Sequence, residues 1–122
     1  MDKMQALHNF WSSFELPAYD ENTVPPDAEY PWITYEAASD SLDTVVILSA
    51  SLWYWSLSWE DITLKADEIA EYIENIYPPA IKIDTGRMFI KRGTPFAQRM
   101  SDPDGNLRRI LLTINVEFFT EF

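Results

Sequence analysis

The segment that decides the fold is residues 108–120, which read RRILLTINVEFFT. Side chains alternate along it with the two-residue period of a β-strand. One face carries only large apolar side chains: Ile110, Leu112, Ile114, Val116 and Phe118. The opposite face is mixed: Arg109, Leu111, Thr113, Asn115, Glu117 and Phe119. We therefore predict a long strand with one core face, and Leu112 as the central core position.

The residues before this strand carry turn and strand signals that predict an antiparallel sheet. Residues 102–106 read DPDGN, the strongest turn signal in the chain. A tight turn is predicted at Thr85 and Gly86, and a chain break at residues 93–95, which read GTP. Between these signals we predict short strands at residues 81–83, 87–91 and 96–100.

The first part of the chain supplies a helix and two further strands. The helix is predicted over residues 2–14 from an apolar stripe at helical spacing: Met4, Leu7, Trp11 and Phe14. Four prolines make residues 17–31 an extended, irregular segment. Strand composition marks Trp32–Tyr35 and residues 44–57, and a loop is predicted between them at residues 37–43.

A second helix begins at Asp61 or Thr63 and ends before Pro78 and Pro79. Its predicted inner stripe is Ile62, Ala66, Ile69, Ile73 and Ile76. The element order predicts an α+β fold, a single domain over residues 1–122 with one mainly antiparallel β-sheet packed with two α-helices. Residues 44–57 carry apolar side chains at both odd and even positions, so both faces of that strand are apolar. We therefore expect a helix on one face and a partner chain on the other.

Composition excludes several classes of function. The 122 residues include no cysteine and one histidine, His8, which removes disulfide frameworks, thiolate metal sites and two-histidine chemistry. The net charge of −11 argues against tight binding of nucleic acid, which needs a basic surface. Residues 1–76 hold fifteen acidic and two basic residues, whereas residues 77–122 hold five acidic and seven basic ones. This asymmetry predicts an acidic face and a more basic face.

No residue pattern indicates catalysis or a bound cofactor or metal. Nothing in the sequence places a carboxylate or nucleophile against His8. Asp102 and Asp104 resemble the opening of a calcium loop, but position twelve is Thr113 and not glutamate, so we predict a hairpin turn there. The start of the chain lacks the layout of a signal peptide, and no apolar run is long enough to span a bilayer as a helix.

Two groups of side chains are candidates for a subunit interface. The tryptophans suit either a core built from large rings or a subunit contact, where aromatic residues are enriched, and Trp53 and Trp55 are the candidate anchors. A basic patch on the sheet fits nucleic acid or, as we favour, an acidic neighbour. Its members are Arg87, Lys91, Arg92, Arg99, Arg108 and Arg109.

The layout resembles a known family. In the first half, the resemblance is carried by the N-terminal helix, by LPAY at residues 16–19 leading to Val24 and Pro25, and by Trp32–Tyr35. In the second half, it is carried by the helix at residues 62–76, by GRMFIKRGTPF at residues 86–96, and by the closing strand. These features resemble the tail terminators of long-tailed bacteriophages, also called tail completion or head–tail joining proteins.

The resemblance implies a structural protein of the virion and no enzyme. It implies an α+β subunit of a hexameric ring that caps the tail tube, ends tube polymerisation and joins the tail to the head. The implied partners are other copies of the chain, the tail tube protein and the head–neck connector proteins, with assembly in the host cytoplasm. An acidic channel wall would let DNA pass without tight binding.

Two other classes of function remain open from the residues alone. A small carboxylate-dependent hydrolase needs two acidic residues that converge in a pocket with separated proton affinities. An acidic module that mimics DNA would instead inhibit a DNA-binding protein. A stable ring separates the structural function from both.

Overall fold

The computed structural model describes residues 1–36, 45–76 and 80–120. Within them lie two helices, α1 (Lys3–Ser12) and α2 (Glu60–Asn75). The six strands are β1 (Ala18–Asp20), β2 (Trp32–Tyr35), β3 (Val45–Trp55), β4 (Ala80–Ile83), β5 (Gly86–Met100) and β6 (Leu107–Thr120). They form one sheet in the order β1-β2-β3-β6-β5-β4, parallel only between β1 and β2. The predicted α+β class is confirmed.

Strand β6 lies inside the sheet, between β3 and β5. Its five predicted core residues, Ile110 to Phe118 at alternate positions, are all buried. Leu112 is 0% exposed and lies in register between Ala50 of β3 and Ala97 of β5. Both helices cover this face, so the alternation along β6 identified the core correctly.

Each helix packs through one stripe. The side chain of Asp2 accepts a hydrogen bond from the Gln5 backbone N–H at 2.7 Å and caps α1. In α1 the predicted Leu7 and Trp11 are buried, and Phe10 is buried as well, where it packs against Trp11 and Phe14. The predicted Met4 is exposed. In α2 four of the five predicted residues are buried, and Ile76 lies just beyond the helix end.

Four predictions about the chain's elements need correction or lie outside the described residues. The predicted break at residues 93–95 is wrong, because β5 runs continuously from Gly86 to Met100. Residues 17–31 are not wholly irregular, since Ala18–Asp20 forms β1 beside β2. The predicted loop at residues 37–43 and the helix stop at Pro78 and Pro79 lie outside the described residues.

Strand β5 absorbs the predicted break as a shift of register. Arg92 lies opposite Ile114, and Ala97 lies opposite Leu112, so five steps along β5 match two along β6. The inserted residues bulge, as glycine and proline inside a strand commonly allow. Because five is an odd number of steps, the bulge changes which residues of β5 face the helices. Even-numbered residues face them before the bulge, and odd-numbered residues face them after it.

Gly93 is required by its contact with β6. A Cβ atom at this position would lie 2.7 Å from Thr113 Cγ2 and 2.9 Å from the Thr113 carbonyl oxygen. We expect Gly93→Ala to lower the free energy of unfolding by about 1–3 kcal/mol, the cost of overpacking, measured by denaturant titration. Gly105→Ala is the control, because nothing lies within 4 Å of a Cβ there. Equal stability of the two variants would contradict this account.

Candidate subunit interface

One face of the sheet carries apolar side chains that no described helix covers. We call it the open face; it is formed by the side chains of β2, β3, β5 and β6 that point away from α1 and α2. Ile47, Trp55 and Phe119 are 71%, 55% and 50% exposed there. Exposed apolar side chains on an uncovered sheet face make this face a candidate contact surface. The predicted helix on one face of β3 is confirmed, and the partner on its other face stays a prediction.

Trp53 is held in place on the open face by two polar contacts. Its indole N–H donates a hydrogen bond to Thr34 Oγ1 at 2.8 Å. The guanidinium of Arg109, its cross-strand neighbour, lies 4.8 Å from the ring centre, and Arg109 Nε donates to Ser51 Oγ at 3.1 Å. These contacts fix the position of the Trp53 ring on the open face.

A groove lies beside Trp53. Tyr30 stacks on Trp32 with ring centres 4.1 Å apart, and it also approaches Trp55 at 5.7 Å. The groove has a volume of about 340 Å³. We call it the tryptophan groove, and its lining residues are Glu21, Val24, Tyr30, Trp32, Thr34, Ser51, Trp53 and Arg109. Glu21, Val24 and Tyr30 were missed by sequence reasoning, because their segment has no periodicity that indicates a face.

The six predicted basic residues do not form one patch. Because neighbours on a strand point to opposite faces, Arg87, Lys91 and Arg109 lie on the open face. Three others lie on the helix side, namely Arg92, Arg99 and Arg108. Arg99 lies on the helix side because the register shift at the bulge reverses the direction in which odd-numbered residues point. The predicted single basic surface is therefore wrong.

On the helix side the arginines make contacts within the subunit. Arg92 forms an ion pair with Glu74 of α2. Arg99 and Arg108 both stack on Trp59, at 4.8 and 5.3 Å from the ring centre. Arg108 also donates to the backbone oxygens of Leu57 and Gly105, at 2.8 and 2.9 Å. These contacts fix the segment that enters α2.

A second, smaller depression lies on the open face toward the other end of β6. It has a volume of about 200 Å³ and is lined by Phe89, Lys91, Asn115 and Glu117. Phe89 contacts Phe119 edge to face, with ring centres 5.2 Å apart. Lys91 and Glu117 place both signs of charge here, so this end of the open face is mixed in charge as well as apolar.

The single histidine, His8, contacts two hydroxyl groups. His8 Nδ1 lies 2.9 Å from the Tyr35 hydroxyl, and its Nε2 lies 3.2 Å from Ser12 Oγ. Burial, and to a lesser extent the charge of Asp20, raises the pKa of Tyr35. In the described ranges, no group of three or more histidine, aspartate or glutamate side chains is placed to hold a metal ion.

The acidic turn at residues 102–106 is built from side-chain caps. The carboxylate of Asp102 accepts from the Asp104 N–H, and that of Asp104 accepts from the Asn106 N–H, both at 2.9 Å. Aspartate side chains commonly bond to the backbone two residues further on and so form a turn. The predicted hairpin turn between β5 and β6 is confirmed.

The architecture is an α+β fold with one sheet face covered by helices and one face that none of the described helices covers. A chain described as "Virion of native gene transfer agent (GTA) particle" has a similar fold, with a TM-score of 0.57 at 14% sequence identity. The likeness covers 88% of this chain and 82% of that chain. No protein-family model and no curated protein matches the sequence.

Among the described helices, none has the length and apolar character needed to cross a membrane.

Proposed function

We propose that this chain is a structural protein of a bacteriophage-like virion. The observation that carries the proposal is its likeness in fold to a chain of a gene transfer agent virion over 88% of its length. The proposal agrees with the sequence layout, which resembles phage tail terminators. Fold alone does not define function, so the open face supplies the second support: it carries exposed apolar and aromatic side chains among charged ones, a composition suited to contact between subunits.

Within this class we propose the role of a tail terminator. The chain forms a ring, for which we propose six copies, that caps the tail tube, ends its polymerisation and joins the tail to the head. Its partners are the tail tube protein and the neck connector proteins, and assembly takes place in the host cytoplasm. A net charge of −11 suits a ring through which DNA moves, because an acidic wall does not retain phosphates.

We further propose that the chain is not an enzyme. His8 bonds to hydroxyl groups of Tyr35 and Ser12 in the described structure, and no described carboxylate orients it. A general base needs such an orienting group or a substrate proton within reach. The role in assembly requires binding surfaces only, so the hydrolase alternative has no supporting observation among the described residues.

The proposal predicts how particles assemble without this chain. We expect particles made in its absence to contain tail tubes of irregular length and heads without tails, seen by electron microscopy. The chain supplied in trans should restore uniform tails, and cryo-microscopy should then show it as a ring at the head end of the tube. Uniform, head-joined tails in its absence would contradict the terminator role. Absence of the chain from purified particles would contradict the virion assignment itself.

A further inference from the structure

Two surfaces on opposite sides of the sheet have complementary chemistry. The first is the tryptophan groove on the open face. The second is the outer stripe of α2, which we define as Leu64, Asp67 and Glu71. These three residues are spaced i, i+3 and i+7 and so share one face of the helix. They lie opposite the side of α2 that is buried against the sheet.

The groove contains one cation surrounded by aromatic rings. Arg109 is positioned by Trp53 and by Ser51, which leaves its terminal guanidinium nitrogens without a hydrogen bond to any described residue. Glu21 lies at the rim, and the ion pairs formed among the described residues do not include one between Glu21 and Arg109. A guanidinium between aromatic rings is a suitable site for a carboxylate accompanied by an apolar side chain.

The outer stripe of α2 offers those two groups together. Leu64 is 60% exposed on the helix face that also carries Asp67 and Glu71. Two other acidic residues of α2 are already paired, Glu68 with Lys65 and Glu74 with Arg92. Asp67 and Glu71 are exposed and form no ion pair with a described residue. Their carboxylates are therefore available to a neighbouring molecule.

We propose that the tryptophan groove of one copy receives the outer stripe of α2 from the next copy, with Leu64 in the groove and Asp67 and Glu71 facing Arg109. This inference rests on the proposed function, since it names the contact that builds the ring. The occupant is a second copy because the same chain carries both halves of the complementary pair. A volume of about 340 Å³ accommodates a leucine side chain and an adjacent carboxylate.

Charge favours this contact over a two-fold one. A groove against a groove offers Arg109 only the single carboxylate of Glu21 from the other copy and also brings the two arginines together, and a stripe against a stripe brings carboxylates together. A groove against a stripe offers Arg109 two carboxylates that have no partner among the described residues. Because the two surfaces lie on opposite sides of the sheet, every subunit uses both at once, and such a heterologous contact closes into a ring when the rotation between copies allows it.

Cross-linking tests the proposed contact directly, because the chain has no native cysteine. We choose Glu21→Cys at the groove rim and Leu64→Cys on the outer stripe, both at exposed positions. The assembled protein is treated with a short bismaleimide and separated by denaturing electrophoresis. We expect the double variant to give a ladder of multimers and each single variant to remain a monomer. Dimers from either single variant would show a two-fold contact and overturn the proposal.

The same experiment separates failure of the contact from failure of the proposed function. Purified particles that contain the double variant as a ring, but yield no cross-link, would overturn the contact and leave the terminator role intact. A chain that never appears on a particle would instead contradict the role. The cross-linked ladder is therefore read beside the ring seen by cryo-microscopy.

Charge exchange provides a second, independent readout. We expect Arg109→Glu and Glu71→Arg each to weaken association by about tenfold or more, and the double variant to recover most of the loss. The matched control is Arg99→Glu, because Arg99 stacks on Trp59 at the same 4.8 Å distance but on the helix side. All variants are first checked for an unchanged unfolding midpoint. Folded single variants that are not rescued by the double variant would overturn the pairing.

Discussion

Leu112→Ala is expected to lower the free energy of unfolding by about 2–5 kcal/mol, the range for truncation of a fully buried leucine. Leu112 is completely buried at the middle of the core face of β6. Its cross-strand neighbours on both sides are alanines, Ala50 and Ala97, whose small side chains are poorly suited to fill the space that a lost leucine leaves. Chemical denaturation followed by circular dichroism measures the change.

The next residue on the same strand supplies the control. Leu111 points to the open face and is partly exposed, so Leu111→Ala removes the same atoms without opening a cavity in the core. We expect it to lower the free energy of unfolding by less than about 1 kcal/mol, as surface substitutions usually do. Equal effects of the two substitutions would mean that the face assigned to the core is incorrect.

The core of this protein was predictable because its signal is local. Along β6, the alternation of five apolar residues with mixed ones specifies a face without knowledge of the partner strands. The same holds for α2, where four of five predicted residues are buried. Both elements obey the period of a single secondary structure, which a sequence shows directly.

The bulge in β5 was not predictable from local signals. Gly93 and Pro95 ordinarily interrupt a strand, and pairing with β6 on both sides of them overrides that tendency. The side on which Arg99 lies depends on this register shift and so could not be inferred. By contrast, the division of Arg108 from Arg109 was available from the sequence, because adjacent residues of a strand point to opposite faces.

The candidate interface was predictable only in part. Alternation along β3 places Trp53 and Trp55 on the same face of that strand. Which face is exposed could not be predicted, because both are rich in apolar residues. The groove beside the two tryptophans depends on Tyr30 and Glu21, which reach the open face from an extended segment with no period. Contacts made by irregular segments are set by tertiary packing, and a single sequence gives no local signal for them.

Trp55→Ala is expected to weaken association between subunits by about 2 kcal/mol or more, roughly thirtyfold in Kd, while leaving the subunit folded. Trp55 is more than half exposed and contacts Tyr30 at the rim of the tryptophan groove. Sedimentation of the assembled protein measures association, and thermal unfolding of the same samples checks the fold. Met4→Ala is the control, because Met4 is also exposed but lies on α1, away from the open face.

Trp53→Ala is expected to differ from Trp55→Ala in a way that identifies the role of each ring. Trp53 donates a hydrogen bond to Thr34 and stacks under Arg109, so its removal weakens the subunit as well as the contact. The indole of Trp55 makes no hydrogen bond to a described residue, so its removal should affect association alone. Folding loss with Trp55→Ala, or unchanged association with both variants, would mean that these rings serve the subunit core and that the ring contact lies elsewhere.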